Sequence, residues 1–151
     1  MAFDPADVTP TEGIEPLTPT QVAGFLRAAR DHIVTELTAL GDELARWRPA
    51  PGEWSATECL GHLIEADRRG FAGRIRRTLV TDGVAEQGWD QIAVAAARRD
   101  NERTVAEILA EFEAGRTEGI ALVDDLTSTE LERFAVHDRV GRVTVANLLH
   151  E

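Results

Sequence analysis

Apolar residues recur at three- and four-residue steps along several segments of this 151-residue chain. The first such stripe follows Thr18 and Pro19, a typical helix start because proline is tolerated in the first turn, and Gly41 is the expected stop. An apolar stripe on a helix must be buried against another element, so the pattern predicts helices packed on helices. The first stripe consists of Val22, Phe25, Leu26, Ala29, Ile33, Leu37 and Leu40.

Two capping boxes open the second and third long helices. In such a box a Ser or Thr and a Glu three residues later satisfy each other's backbone N–H groups. The box at Ser55 begins a helix that is expected to extend to about Leu79. The box at Thr104 follows a short helix that starts near Trp89, and its own helix is expected to extend to about Leu126.

The last part of the sequence indicates a fourth helix. An irregular connection that contains His137 and Gly141 follows Ser128, and Thr144 then caps a helix that runs to Glu151. This helix is barely two turns long at Glu151, so we expect that it is cut short and that its remainder lies beyond that residue.

These elements predict one all-α domain over residues 18–151, a four-helix bundle, because no period-two alternation indicates a strand. Residues 1–17 are rich in Pro, Asp, Glu and Thr, show no apolar period, and are interpreted as an extended N-terminal lead-in.

Composition and charge exclude several classes of protein. The net charge of −11 provides no basic field to replace phosphate counterions, so no nucleic-acid partner is expected. No secretory signal is visible, and no apolar run approaches the length of about 20 residues that spans a bilayer. We therefore expect a cytoplasmic protein without a membrane partner. The single cysteine, Cys59, cannot form an internal disulfide and is interpreted as a small buried side chain.

Two charged residues fall on apolar helix faces. Arg116 lies within about 20° of the middle of the third stripe on a helical wheel, and Asp67 lies inside the apolar arc of the second helix. A buried charge is costly unless it is paired, so we expect Asp67 and Arg116 to face one another or to share a polar pocket. Such a pair could specify the bundle, Arg116 could extend its tip to the surface, or Arg116 could orient an anionic ligand.

His62 lies at the margin of the second helix's apolar face and can point into the bundle near one end. From spacing alone, both a packing role and a ligand role remain open. His32 lies on the flank of the first helix beside Glu36, His137 lies in the irregular connection, and His150 is expected to face outward. The sequence contains no H-E-x-x-H motif, no paired-cysteine motif and no glycine-rich phosphate loop.

The sequence around His62 resembles the hallmark of the DinB-like superfamily, in which a Pro-x-x-x-Trp-Ser connection leads into a helix whose histidine is the first metal ligand. Phe112-x-x-x-Arg116 is similar to the arginine pattern of the superfamily's third helix, and residues 140–149 are similar to the start of its fourth helix. The matching run around the histidine is Trp47, Pro49, Pro51, Gly52, Glu53, Trp54, Ser55, Ala56, Glu58, Leu60, His62 and Leu63.

The resemblance implies a four-helix bundle with one long crossover, commonly a homodimer, and a divalent metal, often zinc or nickel, held by three histidines. His62 matches the first ligand. The other two form a His-x-x-x-His pair on the fourth helix, which this sequence does not contain. Either the pair lies beyond Glu151, which we favour because the fourth helix needs more length, or this family member has lost its metal. His150 is a weak substitute because its angle on the helix is poor.

The resemblance also implies a function. Superfamily members include thiol-dependent S-transferases, a mycothiol-dependent isomerase and proteins described as metal-dependent hydrolases. In such a site the metal lowers the pKa of a bound thiol or water. Glu65 supports the metal-binding His62 without binding the metal itself, and Arg116, beside Asp67, binds a substrate carboxylate. We therefore expect a metal-dependent S-transferase or hydrolase-like enzyme that uses a low-molecular-weight thiol or a small anionic ligand. The alternative is a metal-free bundle that binds a small ligand or serves as a dimerising interaction module.

Overall fold

The computed structural model describes residues 16–150 and is mostly helical. Helix α1 spans Pro19–Ala45, and the Thr18 side chain caps it by accepting the Gln21 backbone N–H, as the Thr-Pro start predicts. Gly41, the predicted stop, is instead a kink with φ of +69°, and the helix resumes beyond it. Glycine adopts this left-handed conformation without steric cost, and the fully buried Ala45 keeps the following turn packed on the core.

The second predicted helix is divided into two. Helix α2 spans Ala56–Glu65 behind the predicted Ser55 capping box, and helix α3 spans Ala72–Val80. A π-helical turn, Ala66–Gly70, lies between them. Its Phe71 backbone N–H donates to the Ala66 carbonyl at 2.9 Å, an i to i+5 bond that inserts one extra residue into the turn. Such turns occur frequently at functional sites.

The crossover between α3 and the third long helix consists of strand β1, Val84–Glu86, helix α4, Gln91–Arg98, and a 3₁₀ turn, Asp100–Glu102. Helix α5 then spans Val105–Asp124 from its predicted Thr104 cap and makes extensive contact with α1. The chain continues through helix α6, Ser128–Leu131, strand β2, Phe134–His137, strand β3, Gly141–Thr144, and helix α7, Val145–Leu148.

A small sheet forms where the sequence predicted an irregular connection. Strand β1 pairs parallel with β2, and β2 pairs antiparallel with β3. The expectation of no strands was therefore wrong. Strands of three or four residues are too short to display a period-two pattern, and β1 and β2 come from distant parts of the sequence.

The core consists of two apolar clusters that follow one another along α5. The Asp67–Arg116 pair lies between them, because Phe112 belongs to one cluster and Ile120 to the other. The first cluster contains Val22, Ala23, Ile75, Ile120, Val123, Val143, Val145, Leu148 and Leu149. The second contains Leu37, Ala45, Leu60, Ile64, Val105, Ile108, Leu109 and Phe112.

Helix α7 confirms the predicted cap, since Thr144 and Asn147 form a capping box, and Leu148 is completely buried. Four expectations about burial were wrong. Cys59 is exposed, because its side chain lies away from the α5-facing side of α2. Three members of the first apolar stripe are exposed because no described element covers that side of α1: Phe25 (61%), Ala29 and Leu40 (41%). Residues 1–15 and 151, which include most of the predicted lead-in, lie outside the described residues.

Gly61 is the point at which α2 and the crossover approach most closely. A Cβ atom placed on Gly61 would lie 1.7 Å from Oδ2 of Asp100, a distance that no side chain can tolerate. Asp100 is itself 2% exposed and held by two arginines, so it cannot move away cheaply. Glycine at position 61 is therefore a requirement of the packing between α2 and the 3₁₀ turn.

We predict that Gly61→Ala lowers the free energy of unfolding by about 2–3 kcal/mol, because the added methyl group displaces Asp100. Gly24→Ala is the matched control, since its Cβ meets nothing within 4 Å on exposed α1. That variant should gain about 0.5–1 kcal/mol from helix propensity. Urea unfolding of both variants measures the difference, and equal stabilities would contradict the close approach.

Candidate functional site

A cavity of about 960 Å³ opens at the end of the bundle where α2, the crossover and the chain's last described residues meet. His62 lines it from α2, and Asp67 and Phe71 line it from the π-helical turn and the residue after it. The small sheet completes the wall, because residues 87–91 follow β1, His137 ends β2, and residues 138–139 belong to the turn after it. The sheet therefore positions two loops over the bundle's open end.

The imidazole of His62 contacts two tryptophan rings, and it is stacked on that of Trp89. Its ring centroid lies 5.3 Å from that of Trp54, with an interplanar angle of 47°, and 5.6 Å from that of Trp89, with an angle of 26°. Trp54 comes from the segment before α2, whereas Trp89 comes from the crossover. The Arg69 guanidinium lies 5.9 Å from the Trp89 ring centroid. Arg69, Trp89, His62 and Trp54 therefore form a continuous series of neighbouring planar groups.

The two nitrogens of His62 have different environments. Nδ1 is buried and has no hydrogen-bond partner among the described residues. Nε2 is not buried in this way and likewise makes no hydrogen bond within residues 16–150, so it is the nitrogen that remains accessible. An imidazole edge with an unengaged nitrogen in a cavity wall can bind a metal, accept a proton or donate a hydrogen bond.

The structure brings two further histidines to this cavity. His137 and His150 both line it, although His150 is exposed as predicted. Nδ1 of His137 accepts the Arg139 backbone N–H at 3.1 Å, so it cannot also donate to Asp138 Oδ1 at 3.2 Å. Within residues 16–150, no three His, Cys, Asp or Glu side chains are arranged to hold a metal ion. The described donors therefore do not fit a complete metal site.

Asp67 and Arg116 face one another, which confirms the predicted pairing. Arg116 Nε lies 2.9 Å from Asp67 Oδ2, and Arg116 is 8% exposed. The Nε–H is not directed at a described acceptor, so the contact is an ion pair rather than a well-aligned hydrogen bond. Burial raises the pKa of the Asp67 carboxyl, and the charge of Arg116 offsets only part of that rise.

Asp67 lines both the large cavity and a second one of about 220 Å³, whereas Arg116 lines the second. The Arg116 guanidinium carbon also lies 5.2 Å from the Phe112 ring centroid. Of the two residues in this pair, Asp67 is therefore the one that borders the His62 cavity. Arg116 can influence a ligand there through the charge of Asp67.

Glu65, expected to support His62 directly, is instead surrounded by arginines. It is 3% exposed, and its carboxylate accepts hydrogen bonds from Arg68 at 2.9 Å, Arg69 at 2.6 Å and Arg98 at 2.9 Å. Burial alone would raise the pKa of Glu65, but the hydrogen bonds from Arg69 and Arg98 outweigh it and lower the pKa. The link from Glu65 to His62 runs through Arg69 and Trp89.

Arg98 joins this carboxylate to two others. It donates to Asp100 at 2.6 and 3.0 Å and to Glu111 at 3.1 Å, and Arg103 bonds both of these acids. Burial opposes the charge on Arg98, but the hydrogen bonds that it donates to Glu111 and Asp100 raise its pKa. The hydrogen bond from Arg98 lowers the pKa of Glu111 to about 2. This ion network connects α2, α4, the 3₁₀ turn and α5.

The sequence interpretation missed Trp89, Arg98, Asp100 and Glu111. The charge-dense residues 98–103, immediately before the Thr104 cap, could have indicated an ion network there. Nothing in the sequence indicated Trp89, because its contact with His62 depends on how the crossover folds back over α2.

The comparison with known families identifies the chain. The profile of the DinB superfamily matches residues 25–151. The chain belongs to the DinB superfamily. No curated protein matches it.

A solved structure supports the fold of this DinB-superfamily chain. YfiT from Bacillus subtilis, described as "a probable metal-dependent hydrolase with an unusual four-helix bundle topology", is similar with a TM-score of 0.76 and 17% sequence identity. The similarity covers 93% of this chain and 81% of YfiT. At this identity the comparison shows the fold, which is the predicted all-α bundle.

Across residues 16–150, the helices lack the combination of length and apolarity that crossing a membrane requires.

The depressed pKa of Glu111 makes a prediction about stability and pH. Its pKa falls from an ordinary 4.5 to about 2 on folding, so its contribution is complete above pH 4.5 and is lost as the pH falls towards 2. We expect Glu111→Gln to lose about 2–3 kcal/mol at pH 7 and to show a flatter stability profile between these pH values. Exposed Glu113→Gln on the same helix is the control, and urea unfolding at several pH values is the measurement. Parallel profiles for wild type and Glu111→Gln would refute the assignment.

The Asp67–Arg116 pair makes a second prediction. Arg116→Met leaves Asp67 buried without its partner and should lower the free energy of unfolding by about 3 kcal/mol at pH 7. Loss of Arg116 raises the pKa of Asp67 further. The difference in free energy of unfolding between wild type and variant should therefore shrink as the pH falls and the Asp67 carboxyl takes up a proton.

Two further variants test whether the loss comes from the pair. Asp67→Asn with Arg116→Met should lose less than the sum of the single variants in a double-mutant cycle. Arg27→Met, which removes an exposed pair with Asp124 at 2.7 Å, should lose less than about 1 kcal/mol. Additive losses at positions 67 and 116 would show that the two charges do not interact.

Proposed function

We propose that this chain is an enzyme that acts on a small molecule in the His62 cavity, as a hydrolase or as a thiol-dependent S-transferase. The observation that carries the proposal is the accessible Nε2 edge of His62 in the wall of a cavity of about 960 Å³. This volume lies at the upper end of the range of about 300–1,000 Å³ that is usual for ligand sites. Asp67, whose pKa is raised, is a second titratable group in the same wall.

The surrounding side chains favour a ligand with an apolar body and a charged group. Phe25, Phe71 and Trp89 supply aromatic walls, and Arg74 lines the same cavity with 12% of its side chain exposed. A carboxylate or thiolate near Arg74 would gain a charge-assisted interaction in a partly desolvated site. This supports a low-molecular-weight thiol or a small anionic ligand as the partner, with Arg74 replacing Arg116 as the residue expected to meet it.

Metal dependence is part of this proposal, although the described donors do not complete a metal site. The support comes from family membership and from the description of YfiT as a probable metal-dependent hydrolase. His62 would be one ligand of a zinc or nickel ion, and His150 is the weaker candidate in the same wall. Any remaining ligands would have to come from outside residues 16–150.

The second candidate function is a metal-free bundle that binds a small ligand or dimerises. The absence of a complete set of metal donors among residues 16–150 favours a metal-free bundle that binds a small ligand. Dimerisation is supported by three exposed apolar side chains near the end of α1. They are Leu40, Leu44 and Trp47, which are 41%, 60% and 63% exposed. A homodimer would bury such a surface, and sedimentation velocity of the purified protein would detect it. A monomer at all concentrations would exclude that part.

Metal analysis of the full natural protein tests the proposed function. We expect about one equivalent of zinc or nickel, lost in His62→Gln, together with a melting temperature that chelation lowers in wild type but not in the variant. His137→Gln is the matched control, because His137 lines the same cavity but its Nδ1 is engaged by the Arg139 N–H. Metal-free protein whose melting is insensitive to chelation would overturn metal dependence and favour the second candidate.

A further inference from the structure

Trp89 lies in a short segment that closes over His62. Residues 87–90 connect β1 to α4, all four line the large cavity, and they adopt no regular secondary structure. Their backbone is weakly held, because residues 87–89 make no backbone hydrogen bond to any other part of residues 16–150. The Trp89 side chain, which is half-buried, is therefore the main attachment of this segment to α2.

Two tryptophan rings contact the His62 ring. Trp89 stacks at 26° and 5.6 Å, and Trp54 contacts the ring at 47° and 5.3 Å. No hydrogen bond to Nδ1 from the described residues fixes the ring's rotation, so stacking is the interaction left to do so. Metal-binding and catalytic histidines are usually oriented by a hydrogen bond to the second nitrogen, and two indoles take that place here.

Arg69 holds Trp89 from the other direction. Its guanidinium lies 5.9 Å from the Trp89 ring centroid, and its Nε donates to Glu65 Oε2 at 2.6 Å. Glu65 is 3% exposed and belongs to the ion network with Arg98, so it is a rigid anchor. Arg68 bonds the same carboxylate at 2.9 Å, but its other partner is Glu111.

We propose that Trp89 is a positioning residue for His62, and that Arg69, anchored on Glu65, holds Trp89 in place. The two indole contacts orient the imidazole so that a ligand in the cavity reaches its Nε2 edge. This inference deepens the proposed function, since it assigns the residues that orient the His62 side chain on which that function rests.

Chemical modification of the natural full-length protein, freed of bound metal by a chelator, with diethyl pyrocarbonate tests this positioning without requiring turnover. The reagent acylates an unprotonated imidazole nitrogen, and peptide mass mapping gives the rate at each histidine separately. We expect Trp89→Leu to raise the rate at His62 several-fold, because the stacking contact of Trp89 is lost and the ring gains rotational freedom. Trp89→Phe keeps a stacking ring and should stay close to wild type. The rate at His32, exposed on α1, should be unchanged in every variant.

Arg69 is tested against Arg68, because both bond Glu65 but only Arg69 contacts Trp89. Arg69→Met should raise the His62 rate, and Arg68→Met should not. Equal rates in Trp89→Leu and wild type would overturn the proposal, and so would equal increases in Trp89→Phe and Trp89→Leu. Equal increases in Arg69→Met and Arg68→Met would overturn the role of Arg69.

A second measurement covers the case in which a variant loses stability. The ring-proton resonances of His62 are recorded in Trp89→Phe, Arg69→Met and Arg68→Met. They are assigned by their loss in His62→Gln. A stacked imidazole is shifted upfield by the tryptophan ring currents, so Arg69→Met should move the resonance downfield and Arg68→Met should not. An unchanged resonance in Arg69→Met would overturn the role of Arg69. Because both measurements are made on protein freed of metal by chelation, a natural protein that binds no metal would overturn the metal dependence of the proposed function while leaving this inference standing.

Discussion

The buried pairing of Asp67 with Arg116 is the constraint around which the bundle is organised. It lies between two apolar clusters, so α5 runs from the cluster of Phe112, past a charge, to the cluster of Ile120. Two charges removed from water are tolerated only when they meet, which requires α5 and the π-helical turn to keep one register. The pair therefore contributes less to net stability than to the choice of a single packing, and it divides one core into two layers.

The same turn connects the core to the cavity. Asp67 has Arg116 on one side and the large cavity on the other, so the charge that specifies the packing also enters the candidate site. The extra residue in the π-helical turn allows α2 and α3 to present different faces to the core and the cavity. Asp67 therefore belongs to the structural ion pair and is also a titratable group of the candidate site.

A second polar system supports the site from the crossover. Glu65, Asp100 and Glu111 are joined through Arg98, and Gly61 allows Asp100 to approach α2. Through Arg69, this network reaches Trp89 and the face of His62. The candidate site of this DinB-superfamily chain is consequently held by helix–crossover contacts rather than by hydrogen bonds to the histidine itself. Rigid support of this kind is what precise ligand geometry requires.

The sequence alone determined the local features. Capping at Thr18, Ser55, Thr104 and Thr144 was predictable, because a capping box is a contact between residues three apart. The pairing of Asp67 with Arg116 was also predictable, since helical periodicity places both charges on buried faces. Only the tertiary structure decided that Glu65 meets Arg98 of the crossover, that Trp89 stacks on His62, and that short strands close the cavity. These contacts join segments far apart in sequence, and no local pattern encodes which distant partner a side chain will find.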